Sequence, residues 1–479
     1  MGIFTSPLNL IGDGLIKNVV LVSLNYHIHE GGLLINNTTL CSFLGIDHAH
    51  IKTIDQVSKD NRTYIFITLK SSQEECPYCS SSHVVSKGFV KRKINHALFI
   101  NKETTIELII KRYECKECGK SFVSKQSFAS KRSRLSYDTV KTILDALRKY
   151  TCTFEHAGKI AHVSNTTAKN VFDQYVNPKR KRLPKVLAID EVYNKGQFSA
   201  AYSCVFFDFL GSKIVDVIQD RSKASLSRYL TKISRKERQE VKYVVIDMWE
   251  PYVDIANYFF ENAIIVIDSF HVIKEMNAAL DDLRCKIMSR FEPGTIEYYL
   301  LKKQHELLFK SHHVWKEKEY NPRLKMMVNE YDVVKMMLSL DNELKTAYEY
   351  CSKYRTFNSQ ATYENAQRLF DEFSMNIEIA KIEEFRPIIR MLQNWEEYIL
   401  NSFLIVEGRR LSNGPIEGCN SQIKKLMRIS NGLEHPIRFR NRLMHCYNNE
   451  AVMSPVKEKI PKIKRKPRGN YKKPPRIES

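Results

Sequence analysis

The sequence predicts a multidomain α/β chain: a metal-bound β-ribbon, a small helical unit, a mixed sheet and a long helical stretch. Three observations predict it. Two C-x-x-C pairs, Cys76/Cys79 and Cys115/Cys118, flank strand-like sequence. Three apolar runs, "KVLAIDE", "KYVVIDM" and "AIIVIDS", each end in an aspartate. From about residue 275 to 446 the apolar spacing is helical. At 479 residues the chain is too long for one ordinary domain. Its 43% hydrophobic content suffices for real cores and excludes a disordered chain.

Charge narrows the partner. The chain has 75 Lys plus Arg against 54 Asp plus Glu, a formal +21. Such an excess favours a polyanion, nucleic acid first and an anionic membrane second. No apolar run reaches the length of a membrane span. The start, "MGIFTSPLNLIGDGLIKNVVLVSL", lacks the basic n-region and cleavage site of a signal peptide. Of 11 cysteines four form the two pairs, which fits metal binding in a reducing cytoplasm better than a disulfide framework.

Taken in order, residues 1–70 read as a lead-in ending in the strand "TYIFITLK". Over 71–130, each C-x-x-C places two thiolates on a tight turn, and the alternating "HALFINKETTIELIIKRY" between them supplies strands to join the turns. The expected result is a zinc ribbon with a structural Zn²⁺ on Cys76, Cys79, Cys115 and Cys118, since four thiolates leave no open catalytic position. His83 and His96 could replace a ligand but are not needed.

Over 135–178 three helices are expected. Val140, Ile143, Leu144 and Leu147 form one apolar face, Ala157 and Ile160 mark a second helix, and a turn at His162-Val163-Ser164 leads to a third with Ala168 and Val171. Ser164 suits its N-cap. This pattern fits a helix-turn-helix presenting Asn165, Thr166 and Lys169 to a DNA major groove; a plain helical linker is the alternative.

Over 183–274 strands dominate. Core strands that stop at Asp190, Asp247 and Asp268 would bring carboxylates to one sheet edge. Like charges there repel unless a cation lies between them, and Mg²⁺ or Mn²⁺ suits oxygen ligands. A helical segment over 275–408 follows, opened by the stripe Met276, Leu280, Leu283 and Ile287. Over 409–450, "RRLSNGPIEGCNSQIKKLMRIS" starts a helix at Asn413-Gly414-Pro415. Ile416, Cys419, Ile423, Leu426 and Ser430 form its inner stripe, and Glu417, Ser421, Lys424 and Arg428 an outer stripe that begins acidic and turns basic. Glu417 could reach a metal while Lys424 and Arg428 lie along a nucleic-acid backbone. The tail, 451–479, is basic, proline-bearing and expected to be disordered. Asp208, Asp216 and Asp220 read as solvated, and Trp249, Trp315 and Trp395 as packing residues.

The order of strand-Asp, meander, helix, strand-Asp, helix, strand and late helix-Glu resembles the ribonuclease-H-like core of DDE transposases. "VVIDMWEPY", "VIDSFHVIKEMNAALDDLR" and "SNGPIEGCNSQIK" together resemble the ISL-three family of bacterial insertion sequences, as do the ribbon and helix-turn-helix ahead of them. The resemblance implies a core of five mixed strands with helices, interrupted by an all-helical insertion. It implies Asp190, Asp247 and Glu417 as a catalytic triad binding two Mg²⁺ or Mn²⁺ ions. Asp268 and His271 match an auxiliary D-x-x-H pair that orients the target strand or supports the second acid, and Glu191 should point to the opposite face. The implied activity is cleavage and strand transfer of double-stranded DNA at terminal inverted repeats, by at least a homodimer, in the bacterial cytoplasm at the nucleoid. Two alternatives remain: a DNA-binding regulator with an inert core, and a nuclease without strand transfer.

Overall fold

The computed structural model describes residues 27–29, 32–34, 38, 40–41, 44, 48–59, 61–70, 75–99, 102–124, 129–130, 133–194, 198–310, 317–429 and 435–449. The tail over 451–479, most of the first 47 residues, Trp315 and Ser430 lie outside the described residues. The chain divides into two compact units, residues 1–143 with 158–164, and residues 144–157 with 165–479.

The first unit is built on strands β1 (Ile51–Lys59), β2 (Arg62–Leu69), β3 (Val84–Phe99), β4 (Lys102–Cys115) and β5 (Ser121–Val123). Their order is β1-β2-β4-β3, with β5 paired to β4. On β4, Ile106, Leu108 and Ile110 are buried while Thr105, Glu107 and Ile109 are half-exposed, the two-residue period of a sheet with one covered face. β2 runs parallel to β4, with Ile65 opposite Ile106 and Ile67 opposite Leu108. Ile51 and Ile54 of β1 join the same core. The boundary expected at residue 70 is therefore crossed by the sheet. The apolar face of "TYIFITL" cannot be buried by so short a strand alone, and β4 offers it an edge. Helix α1 (Tyr137–Ala146) begins where Ser136 Oγ accepts the Thr139 N–H at 3.1 Å.

The second unit holds a five-stranded sheet of β6 (Val186–Tyr193), β7 (Tyr202–Asp208), β8 (Lys213–Ile218), β9 (Tyr243–Ile246) and β10 (Ile264–Ile267). The order is β8-β7-β6-β9-β10. β6, β7 and β8 form an antiparallel meander, while β9 lies parallel to both β6 and β10. This is the mixed ribonuclease-H-like sheet that was expected. Around it lie α2 (Phe154–Ile160), α3 (Asn165–Tyr175), α4 (Lys223–Leu230), α5 (Arg235–Gln239), α6 (Glu250–Phe259) and α7 (Ser269–Met288); of α2, only its first four residues belong to this unit. Then come α8 (Ile296–Lys303), α9 (Glu330–Leu338), α10 (Asn342–Gln360), α11 (Tyr363–Ile379), α12 (Arg386–Leu400), α13 (Gly414–Ile429) and α14 (Pro436–Tyr447).

Both faces of the sheet are covered, which explains its nearly continuous apolar strands. Val186, Ala188 and Val192 of β6 pack with Ile416, Cys419, Ile423 and Leu426 of α13 and with Phe439 and Leu443 of α14. Leu187 and Ile189 pack on the other face with Leu226 of α4 and Tyr252, Ile255 and Ala256 of α6. The long insertion has its own core, where Met276, Leu280, Leu283 and Ile287 of α7 meet Leu344 and Tyr354 of α10 and Phe370 and Phe373 of α11. Among the described residues it is helical except for the short hairpin of Glu319–Asn321 with Met326–Val328 and the strand Ile405–Val406, which pairs with Arg409–Arg410 at its end. Its first helix starts at Ser269, directly after β10. No described helix is long and apolar enough to cross a membrane.

Candidate active site

The first metal-binding constellation is the ribbon. β3 and β4 pair antiparallel with Val84 opposite Cys115, which brings the two cysteine turns to the same end of the hairpin. The turns repeat one geometry: Ser80 N–H donates to Cys76 O at 2.8 Å and Gly119 N–H to Cys115 O at 3.0 Å. Both closing residues are left-handed, Ser80 at φ 57° and Gly119 at φ 67°. Cys76 Sγ lies 3.6 Å from Cys118 Sγ, and Cys79 Sγ 3.5 Å from Cys115 Sγ. Thiolates bound at about 2.3 Å to a tetrahedral zinc stand about 3.8 Å apart, so the cluster fits a structural zinc ion. Burial pushes the Cys76 thiol up, but the N–H groups of Tyr78 and Cys79 outweigh it and lower it to about 7.

The second constellation is the carboxyl edge of the sheet. Ile189, Ile246 and Ile267 lie abreast on β6, β9 and β10. The next residue on each is an aspartate: Asp190, Asp247 and Asp268. Neighbouring strands run about 4.8 Å apart, so the three acids span about 10 Å at the end where open parallel sheets bind ligands.

Each acid is tied down. Asp190, 8% exposed, accepts the Glu191 N–H at 2.7 Å and the Asn420 Nδ2 amide at 2.6 Å. Asp247 accepts the Asn413 Nδ2 amide and lies 3.2 Å from His271 Nε2. Asp268 caps α7 by accepting the Phe270 N–H at 2.9 Å, and its other oxygen accepts the Asn413 N–H at 2.8 Å. Burial first, and the Asp247 charge next, push Asp190 up to about 7. Burial, then the Glu191 charge, push Asp247 up to about 6.

Glu417 lies in the first turn of α13, exposed, with its N–H on Asn413 O at 2.9 Å. At 100° per residue Asn413 and Asn420 are within about 20° of each other around the helix, and Glu417 is roughly 40–60° to their side. It therefore flanks the face that touches Asp190 and Asp247. Among the described residues, the four cysteines are the one group of three or more metal-ligand side chains with all ligand atoms within 4.8 Å of one another; the three acids of the expected triad are spread more widely. Ser421, Lys424 and Arg428 are exposed with Glu417, while Ile416, Cys419, Ile423 and Leu426 are buried.

Glu191 points to the opposite face. It pairs with Arg221 and accepts the Tyr252 hydroxyl at 3.0 Å. The Arg221 guanidinium stacks 4.1 Å from the Tyr202 ring and 4.6 Å from the Trp249 ring, so Trp249 is a packing residue, as is Trp395 between two cores. One expectation about the acids fails. Asp216 is buried, not solvated: it pairs with Arg440 at 2.5 Å and accepts the Tyr229 hydroxyl at 2.9 Å. Asp208 accepts the Gly211 N–H in its turn, and Asp220 accepts from Ser222 and Ser225 at the start of α4.

Of the three-helix stretch, α3 starts directly after Ser164. Asn165 and Thr166 are exposed and Lys169 half-buried. The other side of α3 docks on α14: Phe172 meets the His445 ring edge-on at 5.8 Å, and Asp173 takes a two-pronged ion pair from Arg438. Sequence reasoning missed Asn420 and took Asn413 only as a helix start. The signal was present, because Asn420 falls on the inner stripe four residues from Ile416 and three from Ile423, where an apolar side chain would be expected.

Family models match two stretches of the chain. A transposase model of the ISL3 DDE type matches residues 187–443, more than half of the chain. A model described as the zinc-finger of transposase IS204/IS1001/IS1096/IS1165 matches residues 72–118. No curated protein matches the chain significantly. The first match spans the acid-bearing sheet and α13, and the second spans both cysteine turns. The chain belongs to the ISL3 family of DDE transposases, enzymes that act on DNA.

Proposed function

We propose that the protein binds the terminal inverted repeats of an insertion sequence and cuts and joins DNA there through Asp190, Asp247 and Glu417. The observation that carries this is the register that sets Asp190 and Asp247 side by side, with α13 docked on both through Asn413 and Asn420. The acids fit a divalent cation. They are hard oxygen donors, and their mutual burial raises both, a strain that Mg²⁺ or Mn²⁺ relieves. A two-metal site would supply a Lewis acid on each side of the scissile phosphate. The chain's own groups do the rest. Asp190 and Asp247 bind the ions from the sheet, and Glu417 reaches in from α13. His271 holds Asp247, and Asp268 supports it through Asn413. Lys424 and Arg428 continue from Glu417 along the exposed side of α13, placed for a phosphate backbone.

Recognition falls to the rest of the chain. Asn165, Thr166 and Lys169 enter the major groove, the zinc ribbon contributes DNA contacts, and the tail over 451–479 adds salt-sensitive affinity. The domain plan is a ribbon at 71–130 that shares its sheet with residues 51–69, a helix-turn-helix at 135–178, and a core at 183–274 and 409–450 around the insertion at 275–408. Two DNA ends must be held together, so the working form is a homodimer or larger, in the cytoplasm at the nucleoid.

The test is to incubate the protein with Mg²⁺ and labelled DNA carrying the flanking repeat, beside Asp190→Asn and Glu417→Gln. The expected result is cleavage at the repeat end and joining to a target, both lost in the variants. Specific binding without cutting by any version would make the protein a regulator. Cutting without joining would make it a nuclease. Cutting that persists in the variants would remove the acids from the reaction.

A further inference from the structure

Two buried asparagines tie α13 to the acids of the site without being metal ligands or DNA contacts in the reaction as proposed. Asn413 is fully buried and Asn420 is 4% exposed. Asn420 lies on the sheet-facing side of α13 among residues of an apolar core. Each turns its amide nitrogen to a different acid, Asn413 to Asp247 and Asn420 to Asp190. Among the described residues neither Oδ1 has a hydrogen-bond partner, although both are buried.

That pattern is informative. A carboxamide can turn over to satisfy whichever end its surroundings favour. An asparagine present for packing alone would be replaceable by an apolar side chain of its shape, without two stranded acceptors. Here the fold accepts both stranded oxygens and keeps both donors on the carboxylates. The two residues are seven apart, two turns of one helix, and so grip neighbouring strands at once. Asn413 adds a third tie, its backbone N–H on Asp268, and a fourth, its carbonyl on the Glu417 N–H.

We propose that Asn413 and Asn420 are positioning residues that hold Asp247 and Asp190 ready for a divalent cation and register α13, with Glu417, against the sheet edge. The inference rests on the acid site proposed above. Neither asparagine needs to touch DNA or metal. Each acts through the carboxylate it holds, as outer groups that orient metal ligands do.

The test is Mn²⁺ binding by the full-length, zinc-loaded protein without DNA, followed by titration calorimetry. Wild type, Asp190→Asn, Asn413→Ala, Asn420→Ala, Asn413→Leu and Asn420→Leu are compared, with thermal unfolding alongside. Leucine keeps the volume and removes the donor. The expected result is a Kd raised roughly 10- to 100-fold in the alanine and leucine variants, with repeat binding unchanged and cleavage recovering at high Mn²⁺. An unchanged Kd in folded variants overturns the inference and leaves the acid site standing. Collapse of both the alanine and the leucine variants also overturns it, because the amides would then be structural. Failure of wild type to bind Mn²⁺, or binding that survives Asp190→Asn, overturns the acid site itself and the inference with it.

Discussion

Asp190→Asn should stabilise the metal-free protein at neutral pH, and by an amount that depends on pH in a defined direction. Asp190 titrates near 7 in the fold against about 3.9 in an unfolded chain. The native state therefore binds the proton more tightly than the unfolded state does. Below about pH 4 the carboxyl is protonated in both states and carries no penalty. Between about pH 4 and 7 the unfolded state ionises first, so stability falls as pH rises, and above about 7 the whole penalty is present. At about 1.36 kcal/mol per tenfold change in proton affinity this is roughly 4 kcal/mol as a ceiling; because Asp190 and Asp247 ionise as an interacting pair, the part that belongs to Asp190 is about 2–4 kcal/mol. With an unfolding entropy near 2 cal/mol/K per residue over a unit of some 300 residues, the gain is about 3–6 °C in Tm. The assay is thermal unfolding in chelator at pH 4.5 and pH 8, for wild type and variant. The variant should lead at pH 8 and the lead should shrink at pH 4.5. Adding Mg²⁺ should raise wild type alone. A lead that does not change with pH, or a variant less stable than wild type at pH 8, would refute the argument.

Other positions give sharper single answers. Ser80 holds a left-handed φ of 57° where the matching turn has Gly119, so Ser80→Gly should stabilise the ribbon by about 1 kcal/mol, read as slower zinc release to a chelator. Arg440→Ala strands the buried Asp216 carboxylate and should cost about 3–5 kcal/mol in chemical denaturation; an effect below about 1 kcal/mol would mean that Asp216 is solvated after all. The double variant Lys424→Ala, Arg428→Ala should weaken binding to all DNA sequences alike and reduce the salt slope by about 2, and a sequence-dependent loss would place these side chains on bases instead.

What the sequence disclosed follows from where the physics is local. An apolar run that stops at an aspartate is written in consecutive residues, and Asp190, Asp247 and Asp268 were legible for that reason. So were the two cysteine turns. The partners of those groups were not. Arg440 meets Asp216 across 224 positions and Asn420 meets Asp190 across 230, and no local pattern encodes such pairs. The β2 strand was legible as a strand, but its parallel pairing to β4 depends on which edge is free, and that is settled only when the sheet forms. Asp208, Asp216 and Asp220 looked alike in sequence. Only the arrival of α14 separates the buried one from the other two.

The same long-range logic explains how an insertion of well over a hundred residues can interrupt the core without displacing its edge. The chain leaves the sheet at Asp268, whose Oδ1 caps α7, and returns at Asn413, whose N–H meets Asp268 Oδ2 at 2.8 Å. One carboxylate thus closes the loop that the insertion opens. Arg410 reinforces the return, donating to Ser402 O at 2.9 Å and to Asn358 Oδ1 at 2.7 Å. Asp268→Asn separates the two jobs. Its carbonyl oxygen can still cap α7, where losing the cap altogether would cost about 1 kcal/mol, but its amide presents a donor to the Asn413 N–H and the latch is lost. Hydrogen exchange should then show normal protection in α7 and faster exchange over residues 413–417, with lower repeat-end cleavage. Asp268→Ala should expose both segments. If exchange at 413–417 is unchanged in Asp268→Asn, α13 is placed by its apolar face alone, and the insertion is free to vary for a reason other than this closure.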